Sequence, residues 1–157
     1  MKRIVYLDHA ATTYLDPSVK MAMEPFWSVD FGNPSSLYSL GRVGRQSIQN
    51  ARAKIATLIG GSPSEIIFTS GGTEANNLAI FGIVNGFVGA GGGHGVGGSG
   101  KDHGHIISIG IEHHSVLHLL KELERRGFEV TFVPVDSAGL VDPEKIRKAI
   151  RKETILV

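Results

Sequence analysis

The sequence contains no cysteine, and this absence excludes several kinds of chemistry from the 157 residues. Disulfides and zinc sites built from thiolates both need that side chain, so neither can form within this segment. A thiolate nucleophile is excluded for the same reason. Any catalysis by this segment must therefore rest on other side chains.

An excess of charge of one sign is also lacking, as is a long apolar run. Lysine and arginine number 16 against 15 aspartates and glutamates, and no dense basic cluster occurs, so the sequence predicts no nucleic-acid partner. No apolar run approaches the roughly 18 residues of a membrane helix, and the N-terminus has no signal-peptide pattern. We therefore expect a cytoplasmic protein without a membrane partner. At 41% hydrophobic residues, the chain can form an ordinary globular core.

Apolar periodicity predicts strands that alternate with helices. The predicted strands are residues 66–69, 105–111, 129–135 and 154–157, after a short extended segment at 4–7. The predicted helices begin at Pro17 and continue through Trp27, cover 48–59 up to Gly60, and then cover 73–87, 115–126 and the residues after Pro143. Alternation of this kind predicts a mainly parallel, three-layer α/β sheet, with a ligand outside the carboxyl ends of its strands.

The turn Ser70-Gly71-Gly72-Thr73 joins a predicted strand to a predicted helix. A helix N-terminus presents free N–H groups and the positive end of the helix dipole, which suits a phosphate. Glycines let the backbone approach the anion, and Thr73 can add a hydroxyl donor. The alternative is a capped strand-to-helix turn without a ligand, because serine and threonine are ordinary N-caps.

A glycine-rich tract at 86–104 interrupts the alternation. Its low apolar content cannot offset the entropy of ordering, so we predict a flexible surface loop. A mobile flap or a metal site formed by His94, His103 and His105 is the functional alternative. The predicted organisation is an extended segment at 1–15 and an incomplete domain at 16–157.

Four motifs, taken together and in order, resemble those of cysteine desulfurases, which are class V aminotransferases that use pyridoxal 5'-phosphate (PLP). The motifs are Tyr-Leu-Asp-His-Ala-Ala-Thr-Thr at 6–13, Phe-Gly-Asn-Pro-Ser-Ser at 31–36, Thr-Ser-Gly-Gly-Thr-Glu-Ala-Asn-Asn-Leu-Ala at 69–79, and Ile-Glu-His-His-Ser-Val at 111–116. The resemblance covers the chain except the glycine-rich tract, where the family usually has a much shorter connection.

The resemblance implies the large domain of the PLP-dependent transferases, which is aspartate aminotransferase-like and of fold type I. It implies that N–H groups around Gly72 and Thr73, with the Thr73 hydroxyl, hold the PLP phosphate. It also implies that His113 stacks on the cofactor ring and assists proton transfer as a catalytic residue. His9 and Asn33 lie in family motifs that line or flank the active site, and we assign them no role.

The same resemblance implies release of sulfur from L-cysteine, giving L-alanine, for iron–sulfur cluster or thio-cofactor synthesis. It implies a homodimer and a sulfur-acceptor or scaffold protein as partners.

The end of the sequence in an apolar, strand-like run predicts an incomplete domain, because a buried parallel strand needs neighbours on both sides. The family is longer, and this chain resembles its N-terminal part. The PLP lysine and the catalytic cysteine of the family follow the matched region. Six lysines of this chain lack the family's lysine context: Lys54, Lys101, Lys121, Lys145, Lys148 and Lys152. We therefore expect a fragment that is inactive alone.

Several alternatives stay open at this point. Selenocysteine lyase or other class V aminotransferase chemistry is one, and a subunit completed by a separate chain is another. A non-catalytic phosphate- or nucleotide-binding module is a third, although the turn matches neither a Walker motif nor Gly-x-Gly-x-x-Gly. His114 and His118 are four residues apart on one helix face, which is also a metal-like spacing, but with no third ligand in a matched position we predict a solvated face and no metal.

Overall fold

The computed structural model of the protein describes residues 4–89 and 104–157. By internal contacts the chain divides into two compact units, residues 1–67 and residues 68–157. The predicted boundary between an extended segment at 1–15 and a domain at 16–157 stays a prediction.

The described part of the N-terminal unit is helical. Its helices are α1 (Pro17–Met23), α2 (Pro25–Ser28), α3 (Ser39–Ile59) and a 3-10 turn at Pro63–Glu65. Asp16 is the N-cap of α1, since its carboxylate accepts the Ser18 N–H at 2.8 Å. The Ser18 hydroxyl and N–H also lower the pKa of Asp16.

The prediction of one continuous helix through Trp27 was wrong. The helix ends at Met23, and Pro25 starts the separate turn α2. Proline has no N–H to continue the hydrogen-bond ladder, and its ring collides with the carbonyl four residues earlier, so an unbroken helix is disfavoured there.

The loop before α3 lies against that helix at Gly41. A Cβ at Gly41 would lie 2.5 Å from the Ser36 carbonyl oxygen and 2.7 Å from that of Asn33. The Arg45 side chain donates to the carbonyls of Pro34 and Ser36 and holds the same loop. α3 begins at Ser39, before the predicted start at residue 48, and ends at Gly60 as predicted, with a left-handed φ of 71° there. The loop conformation therefore depends on the missing side chain at Gly41.

The strand predicted at 66–69 does not form. These residues belong to no β-ladder of the described chain, and Ile67 is 66% exposed. The Ile66 carbonyl accepts instead from the Arg52 guanidinium. An apolar run becomes a strand only where a neighbouring strand supplies the hydrogen bonds. The described residues supply none here.

The C-terminal unit alternates helices and strands. Its elements are α4 (Gly72–Phe87), β1 (His105–Ile109), α5 (His114–Arg125), β2 (Glu129–Val133), α6 (Pro143–Ala149) and β3 (Thr154–Leu156). All three strands are parallel, in the order β2-β1-β3. The expected α/β class with a mainly parallel sheet is confirmed.

The core lies where β1 meets α4 and α5. Ile106 is buried against Leu120 and Leu123 of α5 and Val84 of α4. Side chains three or four positions apart share a helix face, which explains why Leu119, Leu120 and Leu123 of α5 are buried together. Burial of one such side chain contributes roughly 1.5–3 kcal/mol. This core places the start of α5 just beyond the carboxyl end of β1.

His105 is the buried polar residue of the sheet. It is 1% exposed, and its ring bridges the neighbouring strands, with Nε2 2.8 Å from the Thr131 hydroxyl and Nδ1 2.9 Å from the Thr154 hydroxyl. Burial lowers the pKa of His105, and the cation of Arg151 lowers it further. Both ring nitrogens are engaged, so His105 is not available as a metal ligand.

Most of the glycine-rich tract, residues 90–103, lies outside the described residues, together with His94 and His103. For residues 90–103 the loop interpretation therefore stays a prediction. Residues 86 and 87 of the predicted loop belong to α4 instead. The metal interpretation loses His105, whose ring nitrogens are both engaged. Within the described ranges, no helix is long and apolar enough to span a membrane.

Replacement of Gly41 by alanine is expected to destabilise the protein by about 1–3 kcal/mol, because the added methyl would collide with two backbone oxygens. Urea denaturation followed by circular dichroism measures the change. Gly82→Ala is the control, since a Cβ at this position in α4 meets nothing within 4 Å and alanine favours a helix by up to about 1 kcal/mol. Equal losses from both variants would contradict the predicted collision.

Acidification is expected to destabilise the sheet through His105. Because its folded-state pKa is lowered from 6.5, the stabilisation is present above about pH 6.5 and is lost as the pH falls from there through the folded-state pKa. The measurement is the free energy of unfolding between pH 8 and pH 5, for the wild type and for His105→Gln. The variant should show a smaller loss on acidification, and parallel curves would refute the role of His105.

Candidate functional site

The N-terminus of α4 presents backbone donors. Gly71 is the N-cap, with φ 165° and ψ 179°, and the first backbone bond of the helix runs from the Ala75 N–H to the Gly71 carbonyl at 3.1 Å. The N–H groups of residues 72–74 therefore precede the ladder and have no partner within the helix. The Thr73 hydroxyl makes no hydrogen bond to the rest of the described chain and adds a further donor.

Neither glycine of this turn is required by the chain's own packing. The backbone of Gly71 is extended, a conformation open to any residue, and a Cβ at Gly71 or Gly72 would meet nothing within 4 Å. The missing side chains leave open space beside the orphan N–H groups. Such space and such donors fit an anionic group such as phosphate.

Glu74 stabilises the turn from within. Its Oε2 accepts the Ser70 N–H at 2.7 Å and the Ser70 hydroxyl at 2.6 Å. The Ser70 hydroxyl, followed by its N–H, lowers the pKa of the Glu74 carboxyl. The carboxylate leaves the N–H groups of residues 72 and 73 free for a ligand. This role of Glu74 was not predicted, although its position in the first turn is typical of a capping acid.

His113 is the N-cap of α5. Its Nδ1 accepts the Ser115 N–H at 3.1 Å and lies 2.8 Å from the Ser115 hydroxyl oxygen. Histidine thereby performs the capping task that serine, threonine, aspartate or asparagine usually performs. The ring is held by a hydrogen bond that also stabilises the helix.

Asn76 connects the two helices. Its side-chain Nδ2 donates to the Ser115 hydroxyl oxygen at 2.8 Å, across 39 residues of sequence. Both residues lie in motifs that the sequence analysis quoted, but their contact was not predicted. Nothing in a single sequence indicates that residues of α4 and α5 meet at this point.

Thr73 and His113 open onto the same cleft, which has a volume of about 480 Å³. Its lining residues come from α4 and the start of α5: Thr73, Asn77, Phe81, His113, His114, Ser115, His118, Leu119 and Glu122. Gly72 is not among them. The structure thus brings together two of the three predicted site residues. The four residues between the end of β1 and α5 place this cleft on the carboxyl side of the strand.

A second cavity, of about 360 Å³, lies along the strands. Its lining is mostly aliphatic, with Ile106 and Ile109 from β1, Ile146 from α6 and Leu156 from β3. Glu112 is its one ionisable lining residue. It holds neither Thr73 nor His113, and an apolar lining of this kind offers little to a phosphate.

His114 and His118 form a stacked pair on α5. Their ring centroids are 5.3 Å apart and the planes differ by 3°. Glu122, one turn further on, is engaged by Arg125 at 2.9 Å and Arg126 at 3.0 Å. Among residues 4–89 and 104–157, no group of three histidines or acids is arranged to hold a metal ion.

His9 and Asn33 lie in the N-terminal unit and make local contacts. The His9 Nδ1 lies 3.2 Å from the Thr13 hydroxyl, and its ring meets Tyr6 edge-on at 5.0 Å. The Asn33 Oδ1 accepts the Ser35 N–H at 2.9 Å, which closes the turn of its motif. These contacts give both residues a structural role.

Comparison with known proteins adds a family to this geometry. The family described as Aminotransferase class-V matches residues 5–157. Cysteine desulfurase IscS of Dictyoglomus turgidum is 50% identical over 157 residues, which are 100% of this chain and 37% of that protein. Cysteine desulfurase IscS of Methanosarcina thermophila is 45% identical over 99% of this chain and 35% of its own length.

Solved structures agree with these sequence matches. A NifS-like protein superposes with a TM-score of 0.83 at 37% identity, over 96% of this chain and 38% of that one. SspA in complex with cysteine gives a TM-score of 0.81 at 36% identity, over 95% and 40%. The expected fold type I is confirmed by these neighbours. The chain spans little more than a third of the length of the curated relatives it matches.

Replacement of His113 by alanine is expected to destabilise the protein by about 1 kcal/mol, because α5 loses its N-cap. His113→Asn is the matched control, since asparagine caps well without an imidazole, and should stay within about 0.5 kcal/mol of the wild type. Urea denaturation measures both. If asparagine destabilises as much as alanine, the cap is not what the ring contributes.

Proposed function

The chain belongs to the class V aminotransferase family, and on that premise we propose that it forms the N-terminal part of a PLP-dependent cysteine desulfurase. Such an enzyme releases sulfur from L-cysteine and leaves L-alanine. One observation carries the proposal: Thr73 and His113, from motifs 40 positions apart, line one cleft. The names of the relatives and the bound cysteine of SspA support the substrate.

The PLP phosphate belongs at the start of α4 in this proposal. The N–H groups of Gly72 and Thr73 and the Thr73 hydroxyl are the donors, and the open space beside Gly71 and Gly72 admits the anion. The donors are uncharged, so they bind the phosphate by hydrogen bonds and by the positive end of the helix dipole.

His113 belongs beside the ring of the cofactor. PLP, when bound, supplies an electron sink for the bonds at the α-carbon of an amino acid. The chain's part is to orient the ring of His113 through the cap contact at Nδ1 and to hold a proton at Nε2. The neighbouring His114, whose ring centroid is 6.1 Å away, lines the same cleft.

The lysine and the thiolate of the reaction belong outside this segment in our proposal. None of the lysines among the described residues lines the cleft, and the sequence has no cysteine. The 157 residues are therefore inactive by themselves, although they form half of a PLP site. Dimerisation, a sulfur-acceptor or scaffold protein, iron–sulfur cluster assembly and a cytoplasmic location complete the proposal for the whole protein.

A non-catalytic phosphate-binding subunit is the second candidate. The absence of a lysine from the described cleft favours it, because the donors of α4 could hold any phosphate without chemistry. Binding of inorganic phosphate, ATP or NAD as tight as that of PLP would favour this candidate.

The test of the site is calorimetric titration of the pure chain with PLP and, separately, with inorganic phosphate. Thr73→Val removes one donor to a charged group and should weaken PLP binding on the order of tenfold. Gly72→Leu should weaken it as well, because its side chain enters the open space. The control is Thr57→Val, because the Thr57 hydroxyl donates to the Ala53 carbonyl within α3 and does not line the cleft. Unchanged affinity in both site variants would refute the phosphate site.

The same preparation, given PLP and L-cysteine, is expected to form no L-alanine, because it holds no thiolate and no lysine in the described cleft. Chromatographic analysis of amino acids measures the product. Alanine above the level of PLP without protein would contradict the proposal that the catalytic groups lie outside this segment.

A further inference from the structure

We propose that Ser115 and Asn76 are positioning residues that hold neutral His113 as the Nε2–H tautomer, so that its ring presents a hydrogen-bond donor, and not a proton acceptor, to the cleft. The catalytic meaning of this inference rests on the proposed function. The tautomer itself does not, since it follows from hydrogen bonds within this chain.

The contacts at Nδ1 set the tautomer. A neutral imidazole carries its proton on one nitrogen and accepts with the other. The Ser115 N–H can only donate, and it reaches Nδ1 at 3.1 Å. Nδ1 is therefore the acceptor, and the proton of the neutral ring is on Nε2.

Asn76 sets the direction of the serine hydroxyl. The amide Nδ2 of Asn76 is a donor, so the Ser115 oxygen accepts from it at 2.8 Å. The hydroxyl proton is then free to point at Nδ1, which lies 2.8 Å from the same oxygen. The chain of donors runs from Asn76 through Ser115 to His113, and Nδ1 accepts from two groups at once.

This arrangement limits what His113 can do. Nε2 makes no hydrogen bond to the other described residues, and the exposed ring lines the cleft, so the proton on Nε2 is available to an acceptor atom of a ligand. To accept a proton at Nε2, the neutral ring would first have to carry its own proton on Nδ1. The contact with the Ser115 N–H would then be lost, and the Ser115 hydroxyl would have to turn from donor to acceptor. His113 is accordingly a donor towards its ligand.

Among the described residues, the neighbouring titratable side chains are engaged elsewhere and do not replace Ser115 in this network. His114 is the adjacent titratable side chain, but its ring stacks on His118, and Glu122 is engaged by two arginines. Ser115 is the residue that contacts both Asn76 and His113. Removal of its hydroxyl interrupts the donor chain while the backbone N–H contact stays in place.

The experiment is long-range hydrogen–nitrogen NMR of the whole chain with 15N-labelled histidine, at about pH 8.5, where histidine side chains are predominantly neutral. His113→Asn identifies the His113 signals by their loss. We expect Nδ1 of the wild type to be unprotonated and Nε2 to carry hydrogen. A wild-type ring with its proton on Nδ1 overturns the proposal.

Three variants test the positioning residues. Ser115→Ala should lower the ratio of the Nε2–H to the Nδ1–H tautomer about 3- to 10-fold, the effect of one neutral hydrogen bond. Asn76→Asp, which keeps the shape but only accepts, should turn the serine hydroxyl away from Nδ1 and lower the same ratio. Ser115→Thr keeps the hydroxyl and should preserve the wild-type ratio.

The outcomes separate the inference from the proposed function. An unchanged ratio in Ser115→Ala and Asn76→Asp overturns the role of the positioning residues, whether or not PLP binds. Failure of PLP to bind refutes the function but leaves the tautomer measurement valid. If Ser115→Ala does not fold by its amide spectrum, the isosteric Asn76→Asp variant decides.

Discussion

The C-terminal unit depends on the burial of one strand. β1 is paired on both edges, and its Ile106 contributes to the core formed with α4 and α5. Because a central parallel strand must be covered on both faces, its position determines where the following helix can begin. The start of α5, and with it His113, is therefore placed by apolar packing that takes no part in the proposed chemistry.

The polar contacts complete this placement. His105 has a buried ring with a hydroxyl at each nitrogen, which gives the centre of the sheet a specific cross-strand contact. Asn76 and Ser115 connect α4 to α5 at the surface of the same core. No buried side-chain nitrogen or oxygen of the described residues lacks a hydrogen bond.

His113 illustrates how a structural and a chemical task coexist in one ring. The nitrogen that caps α5 cannot also serve the ligand, so the cap leaves only Nε2 for the cleft. At the start of α4, by contrast, no side chain of the N-cap residue bonds to the terminal N–H groups. The glycines there make no packing contribution, so these N–H groups stay open to a ligand. The two helix ends are different solutions to the same problem of unpaired terminal groups.

Local patterns in the sequence were sufficient for most elements. The cap at Asp16, the left-handed Gly60 and the alternation of α4 to β3 follow from residue types within a few positions, and the four motifs indicated the family. The break at Pro25 was overlooked although its cause is local. Tertiary structure alone decided the rest. Residues 66–69 lack a strand because no described residue pairs with them. Thr73 and His113 line one cleft, and Asn76 bonds to Ser115, because α4 and α5 pack on β1. Those contacts depend on residues about 40 positions apart, and hydrophobic periodicity carries no information on which side chains meet across that distance.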